Sequence, residues 1–270
     1  MKKISFSKTV ASGNDFVIFE NINFTSRMLK TIAIRICDRK YGVGADGILV
    51  SQKSKKADLM MRIFNPDGSE AEMCGNGVRC FILWAHNQRL IKNKVRVETI
   101  SGIIEGEVKK DGRIRVKMAA SFDYRFNIGL SYNGRRVQGD YIDTGVPHFV
   151  IEVKDLTGID VVNWGRFIRF HKIFKPKGVN VDFIQKKTGG LHVRTYERGV
   201  EDETLACGTG CVACGLIYGV KNGCKVNTIN VIPKSTEAMR VSYIFDKGKF
   251  KEVFLEGRAE IVFNAVFILP

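Results

Sequence analysis

The sequence lacks long apolar segments and long blocks of like charge. No stretch approaches the ~18 apolar residues of a membrane-spanning helix. The lysines after Met1 are not followed by the apolar run of a signal peptide. Seven cysteines in a chain too long for a disulfide-stapled miniprotein fit a reducing compartment, where thiols are catalytic, metal-binding or buried. We therefore expect a soluble, cytoplasmic protein that contacts no membrane.

The charge is strongly positive but scattered. Forty-three Lys and Arg residues against 28 Asp and Glu residues give a net charge of +15, which opens the alternative of a nucleic-acid-binding module. The densest basic stretch, residues 109–117, alternates with apolar residues, which predicts a hairpin with one solvated face. Stacked-aromatic RNA motifs, zinc-ligand spacings and a helix-turn-helix pattern are all missing. We therefore expect a solvated basic surface and no nucleic-acid partner.

The periodicity of apolar residues predicts a strand-rich chain with few helices. Helices are predicted over residues 26–37, 76–88 and 208–221. Strands are predicted over 5–19 (interrupted at 12–15), 59–64, 95–100, 103–109, 113–118, 141–143, 149–153, 178–184, 190–196 and 259–269.

An internal repeat is the most informative feature. The Cys-Gly-Asn-Gly run that begins at Cys74 recurs as Cys-Gly-Thr-Gly from Cys207, 133 residues later (207 minus 74), which is about half of the 270 residues. Each copy follows an acidic, polar loop and opens a predicted helix. The repeat predicts two pseudo-symmetric α/β (α+β) domains with the active site in the cleft between them. We assign residues 1–118 and 260–270 to the domain with Cys74, and residues 119–259 to the domain with Cys207.

The position of these two cysteines indicates acid/base chemistry. A helix N-terminus is positive, so we expect it to lower the pKa of a thiol there. The neighbouring glycines leave backbone N–H groups open to a carboxylate. Two thiols on opposite faces of a carbon can remove a proton from one side and deliver one to the other, which inverts a stereocentre without a cofactor. Buried core positions are predicted for the remaining cysteines considered: Cys37, Cys80, Cys214 and Cys224.

A metal cluster is the alternative use of the thiols. Cys207, Cys211 and Cys214 have C-x3-C-x2-C spacing, which resembles the iron–sulfur motif of radical S-adenosylmethionine enzymes. That family builds a barrel after its motif, whereas only 63 residues (270 minus 207) follow Cys207 here. The spacing also does not recur at Cys74. We therefore predict no metal site.

At the cysteine motifs the sequence resembles the diaminopimelate epimerase family, whose members are cofactor-independent amino-acid epimerases. The resemblance rests on two long signatures, residues 62–80 and 197–210. Weaker matches lie at residues 12–16, 41–47, 145–149 and 178–183. They occur in the family's order over essentially the whole chain. The resemblance implies two similar domains, each a barrel-like, mostly antiparallel β-sheet around a central helix, and it suggests a homodimer.

The resemblance also implies a reaction, the epimerisation of LL- to meso-2,6-diaminopimelate in lysine and peptidoglycan synthesis. No metal, pyridoxal phosphate or nucleotide is needed. Cys74 and Cys207 are the implied acid/base residues. The α-carboxylate is implied to bind the backbone N–H groups of Gly75, Asn76, Gly208 and Thr209. The other implied substrate-binding residues are Asn14, Asn65, Asn180, Glu197 and Arg198, and the residues implied to support the catalytic centre are His148 and Glu197.

Substrate specificity leaves an alternative open, a related two-cysteine racemase of proline, histidine or lysine. A bidentate Arg198 favours a substrate with a distal carboxylate. Three features depart from the family pattern. Val146 stands where many members carry Asn, which removes one contact to that carboxylate. Asp182 stands where Asn is more usual, and residues 201–203 are unusually acidic. These departures concern fine specificity and leave both cysteines and Arg198 in place.

Overall fold

The computed structural model describes residues 2–20, 24–118, 122–132 and 134–269. The chain divides into two compact units, residues 1–116 with 257–270, and residues 117–256. The junctions at 116 and 256 lie two and three residues from those expected at 118 and 259. None of the described helices is long and apolar enough to span a membrane.

The described residues form eighteen strands, four α-helices and one 3-10 helix. The strands are β1 (Lys2–Ala11), β2 (Asn14–Glu20), β3 (Gly47–Gln52), β4 (Leu59–Phe64), β5 (Glu70–Ala71), β6 (Lys94–Thr99), β7 (Gly102–Val108), β8 (Ile114–Lys117), β9 (Tyr124–Tyr132), β10 (Arg135–Asp143), β11 (Pro147–Glu152), β12 (Asn180–Lys187), β13 (Gly190–Glu197), β14 (Asp202–Thr204), β15 (Val226–Ile232), β16 (Met239–Asp246), β17 (Lys249–Gly257) and β18 (Glu260–Leu269). The α-helices are α1 (Ser26–Cys37), α2 (Gly75–Asn87), α3 (Val161–Arg169) and α4 (Gly208–Lys221), and the 3-10 helix spans Lys172–Phe174.

The sheet of the first unit curls around α2. Its strands pair in the order β18-β1-β2-β3-β4-β6-β7-β8, with β5 on β4. The β2–β3 and β4–β6 pairs are parallel and the others antiparallel. Helix α2 contacts β18 and β1, at one end of this order, and also β7, near the other end. The sheet therefore wraps the helix, as the family resemblance implied.

The second unit repeats this topology strand for strand. Its order is β9-β10-β11-β12-β13-β15-β16-β17, with β14 on β13. The parallel pairs are again the third and fifth in the order, β11–β12 and β13–β15. Helix α4 contacts β10 to β13, β15 and β16. The internal repeat predicted from the cysteine motifs is thus a repeat of the whole sheet.

The helices form where the sequence supplies caps and apolar residues. Thr25 caps α1 by accepting a hydrogen bond from the Met28 N–H, and Ile32 and Ile36 bury one face of this helix. The predicted bounds of α1 and α4 agree with the structure, and those of α2 are one residue off at each end. Helix α3 was not predicted. It has only nine residues, which is shorter than the window of about 11–18 residues over which helical periodicity is recognised.

Three of the four cysteines predicted to be core residues are buried: Cys37, Cys80 and Cys214. The prediction for Cys224 is wrong. This residue follows the end of α4 and is half-buried, with its Sγ 3.7 Å from the carbonyl oxygen of Asn222. It lies at a turn, where the chain leaves the enclosed helix and reaches the surface.

Two substitutions in α1 test which of its faces carries the stability. Ile36 is 0% exposed and Ile34 is 52% exposed. We expect Ile36→Ala to lower the free energy of unfolding by about 2–5 kcal/mol because it leaves a cavity. The matched Ile34→Ala should change it by less than about 0.5 kcal/mol. Urea unfolding followed by circular dichroism measures both, and equal losses would contradict the assigned face.

Candidate active site

In the first unit, Cys74 is the N-cap of α2. Its backbone is extended (φ −144°, ψ 118°), and its Sγ accepts a hydrogen bond from the Gly77 N–H at 3.4 Å. The N–H groups of Gly75 and Asn76 belong to the first turn, where a helix supplies no partners of its own. Among the described residues, and apart from its neighbours in the chain and its own helix backbone, no atom lies within 4 Å of the position that a Cβ of Gly75 would occupy. This turn therefore offers N–H groups beside open space and next to a thiol.

A chain of hydrogen bonds orients Asn76 and Asn14, two of the residues that the family resemblance implies at the site. Buried Arg79 donates to Asn76 Oδ1 at 2.8 Å, and Asn76 Nδ2 donates to Asn14 Oδ1 at 2.7 Å. Asn14 Nδ2 then donates to Asp46 Oδ2 at 2.9 Å. Since a guanidinium only donates and a carboxylate only accepts, the chain fixes which end of each amide is nitrogen. Sequence reasoning gave no role to Arg79 or Asp46.

Asn65 lies apart from this chain of hydrogen bonds, in the turn after β4. Its Nδ2 donates to Ser69 Oγ at 2.9 Å, and its backbone N–H donates to the carbonyl of Ser69 at 2.8 Å. These bonds hold the turn closed. A substrate contact by Asn65 stays a prediction.

In the second unit, Cys207 is the N-cap of α4 and is only 6% exposed. Its Sγ lies 3.3 Å from Thr209 Oγ1, and the same hydroxyl lies 3.0 Å from His148 Nε2. Thr209 was expected to contribute its backbone N–H group. The structure shows that its side chain also joins the thiol to the imidazole.

His148 has a second partner that sequence reasoning missed. Its Nδ1 lies 2.7 Å from Asp182 Oδ2, and both side chains are fully buried. Thr195 donates to the other carboxylate oxygen at 2.7 Å. The parallel β11–β12 register pairs His148 with Asn180, and Asp182, two residues further along β12, projects from the same face. The spacing of two residues between Asn180 and Asp182 was the signal in the sequence that both side chains lie on the face of the strand towards His148.

Asn180 connects His148 to the loop after β13. Its Oδ1 accepts a hydrogen bond from the Arg198 backbone N–H at 2.7 Å, and its Nδ2 lies 3.3 Å from His148 Nε2. The Arg198 guanidinium donates to the carbonyl of Lys177 at 3.2 Å. Within the described ranges, no carboxylate pairs with this guanidinium. It is thus a cation that lacks a permanent counter-ion there.

Burial dominates the electrostatics around Cys207. Desolvation raises the pKa of its thiol well above the usual value, and the carboxylates of Glu197 and Asp182 raise it further. The Thr209 hydroxyl and the Gly210 N–H act in the opposite direction. The Gly210 N–H at the helix start lowers this pKa as expected, but burial and the two carboxylates outweigh it, so the prediction of a lowered pKa is wrong for Cys207 as a whole. Burial also raises the pKa of Glu197, opposed by Thr204 and His148.

Solved structures of other proteins share this fold. A phenazine biosynthesis protein of the PhzF family from Bacillus anthracis superposes with a TM-score of 0.80 at 18% identity, covering 100% of both chains. A probable proline racemase from Agrobacterium radiobacter has a TM-score of 0.72 at 15% identity, covering 99% of this chain and 93% of its own. By fold, the chain therefore belongs with the two-repeat α/β proteins that include these two.

Sequence comparison is more specific. The family model described as diaminopimelate epimerase matches residues 6–121 and 141–262. The diaminopimelate epimerase of Aquifex aeolicus is 40% identical over 97% of this chain and 96% of its own length. That of Archaeoglobus fulgidus is 39% identical over 99% and 97%. The chain belongs to the diaminopimelate epimerase family, and it is accordingly an isomerase.

Substitution of two glycines at the helix starts should affect the free energy of unfolding differently. A Cβ at Gly210 would lie 2.7 Å from Asp182 Oδ1 and 3.2 Å from Cys207 Cβ. We therefore expect Gly210→Ala to lower the free energy of unfolding by about 1–3 kcal/mol. A Cβ at Gly75 would meet no described atom within 4 Å outside its own helix and chain neighbours, so Gly75→Ala should change the free energy of unfolding by less than about 0.5 kcal/mol. Urea unfolding compares the two variants, and an unaffected Gly210→Ala would show that the packing is looser than described.

Proposed function

We propose that the protein epimerises LL-2,6-diaminopimelate to the meso isomer, with Cys74 and Cys207 as the two acid/base groups. The observation that carries the proposal is that each repeat places a cysteine at the N-cap of its central helix, beside first-turn N–H groups. Membership of the diaminopimelate epimerase family supports the choice of substrate. No metal or organic cofactor is part of the proposed reaction.

The proposed reaction moves one proton off and one proton onto the α-carbon. One cysteine, as a thiolate, removes the α-proton, and the other, as a thiol, protonates the opposite face. The N–H groups of the two helix starts hold the α-carboxylate and stabilise the charge that develops as the proton leaves. The raised pKa of Cys207 keeps its thiol protonated, which is the state from which the proton-donating step starts. In the reverse direction Cys207 must first lose its proton.

The distal end of the substrate carries an ammonium and a carboxylate that do not react. Arg198 lacks a carboxylate partner within the described residues, and a guanidinium can bind a carboxylate through two parallel hydrogen bonds. Glu197 is adjacent and supplies a partner for the ammonium, while Asn65 and Asn180 supply amide groups. Lysine has no distal carboxylate and would leave Arg198 without a partner, so diaminopimelate is the better fit.

The setting is part of the same proposal. All seven cysteines are free thiols, and the reaction needs two of them reduced, which a reducing cytoplasm provides. We infer that the enzyme works there as a homodimer, in lysine and peptidoglycan synthesis. The homodimer rests on the family resemblance alone.

The reaction is tested by NMR of the reduced protein with LL-diaminopimelate in D₂O and no added cofactor. We expect the α-proton signal to disappear while the meso isomer forms, because solvent deuterium replaces the proton that is removed. Lysine, supplied in parallel, should turn over far more slowly. Faster turnover of lysine would reject the proposed substrate, and no exchange in either sample would direct the search to proline and histidine.

The two-base scheme is tested by removing each thiol in turn. Cys74→Ala and Cys207→Ala should each lower kcat by at least about a hundredfold, because each removes one general acid/base group. Cys224→Ala is the matched control, since this half-buried thiol lies beyond the last turn of α4, and it should retain activity. Steady-state kinetics on folded variants measures the effect. Near-full turnover by either of the first two variants would refute the scheme.

A further inference from the structure

We propose that one arginine–glutamate ion pair in each unit positions the N-cap cysteine of that unit by holding the loop that leads into it. The pairs are Arg62–Glu70 in the first unit and Arg194–Glu203 in the second. The inference rests on the acid/base roles proposed above for the two cysteines. The four residues act through the loops and are positioning residues.

In the first unit the ion pair closes the loop between β4 and β5. Arg62 donates from Nε and Nη2 to the two carboxylate oxygens of Glu70 at 2.6 and 2.7 Å. Two such parallel, charge-assisted bonds fix the orientation of both groups. The side chains are only 14% and 22% exposed, so water weakens the pair little. The remaining nitrogen of Arg62, Nη1, donates to Ser26 Oγ at 3.2 Å, at the first residue of α1.

The second unit repeats this arrangement between β13 and β14. Arg194 donates from Nε and Nη2 to the two oxygens of Glu203 at 2.6 and 2.9 Å. Its Nη1 donates to the carbonyls of Leu156 and Ile159 at 3.0 and 3.1 Å, in the segment that leads to α3. Lys234 adds a second cation to Glu203 at 2.9 Å. Each arginine thus joins its loop to the region where the other α-helix of its unit begins.

Strand register shows that the two pairs occupy equivalent positions. Glu70 lies opposite Phe64 in the antiparallel β4–β5 pair, and Glu203 lies opposite Tyr196 in the β13–β14 pair. Each arginine precedes that aromatic residue by two positions, so it projects from the same face of its strand. Each glutamate precedes its cysteine by four positions (74 minus 70, and 207 minus 203). The side-chain partners of the two thiols differ, but this pair recurs, which points to a requirement that both thiols share.

The position of each pair explains what it can hold. The first loop carries Asn65, and the second carries Glu197 and Arg198, all proposed above to bind substrate. On the other side of each glutamate only positions 71–73 or 204–206 separate it from the cysteine. Holding the glutamate therefore fixes the direction in which the chain enters the helix, and with it the direction of the N-cap side chain.

A general contribution to stability is the rival explanation. An ion pair that only stabilised its unit would, on removal, loosen the whole unit, including the buried thiols of the enclosed helices, Cys80 and Cys214. A pair that holds its loop would affect that loop and its N-cap cysteine alone. Because the pair occurs twice, each unit is the internal control for the other.

The test compares Glu70→Gln with Glu203→Gln, which remove the charge and keep the side-chain shape. Hydrogen exchange followed by mass spectrometry should accelerate at least about tenfold over residues 62–74 in the first variant and 194–207 in the second, because charge-assisted hydrogen bonds are lost. Each loop should exchange at the wild-type rate in the other variant. Glu72→Gln and Asp202→Asn remove exposed carboxylates from the same loops and are the matched controls, which should leave exchange unchanged.

Two further readouts report on the cysteines themselves. The Gly77 N–H donates to Cys74 Sγ, so its exchange, followed by NMR, should accelerate in Glu70→Gln alone. Cys207 is only 6% exposed, so its alkylation by iodoacetamide should accelerate at least about tenfold in Glu203→Gln alone. In both variants Cys80 and Cys214 should stay as unreactive as in the wild type.

A double variant tests whether the pair acts as one unit. Arg62→Gln combined with Glu70→Gln should exchange no faster than Glu70→Gln alone, because the first substitution has already removed the interaction. If a glutamine variant does not fold, Arg62→Lys and Arg194→Lys, which keep the charge but lose the second parallel bond, should show the same local pattern. Acceleration of both loops together, reaction of the buried thiols, or unchanged exchange in both loops would overturn the proposal. None of these measurements uses diaminopimelate, so they are independent of whether the proposed substrate is correct.

Discussion

Each unit is built on the enclosure of one helix by its own sheet. Helices α2 and α4 bury residues on all faces, so an open sheet with one apolar face could not cover them, and the strands curl round instead. The first turn of such a helix still carries N–H groups without intrahelical partners. Each unit therefore encloses one helix start with unpaired N–H groups, and in both units the N-cap residue there is a cysteine.

The polar side chains beside those first turns are buried and need hydrogen-bond partners, and the two units supply these partners differently. In the first, a guanidinium and a carboxylate terminate a chain through Asn76 and Asn14. In the second, Asp182 and His148 lead to Thr209. The topology repeats strand for strand, but the chemistry around the two thiols does not. Cys74 stays half-buried, whereas Cys207 is buried and its pKa is raised.

That difference bears on the proposed two-base reaction, which must run in both directions. A thiol in a desolvated site stays protonated and is a poor source of thiolate. The second unit places a hydroxyl, an imidazole and a carboxylate in sequence behind Cys207.

Local pattern in the sequence determined the features that depend on near neighbours. The bounds of α1 and α4, the cysteine N-caps and the repeat could all be predicted, because helix periodicity, caps and glycine turns involve residues a few positions apart. The family motifs also named Asn14, Asn76, His148 and Asn180 as residues expected at the site. Helix α3 was missed because its nine residues are fewer than the window of about 11–18 residues over which helical periodicity is recognised.

Only the tertiary structure decided the features that depend on distant parts of the chain. The contact of His148 with Asp182 requires the parallel register of β11 and β12, which no local pattern specifies. The pKa of Cys207 depends on how completely strands from elsewhere exclude water, and this reversed the expectation from the helix dipole. Cys224 is only half-buried because it lies beyond the end of the helix that the sheet encloses. Hydrogen-bond geometry and desolvation arise from packing between elements, so they exist only once the sheet has closed around its helix.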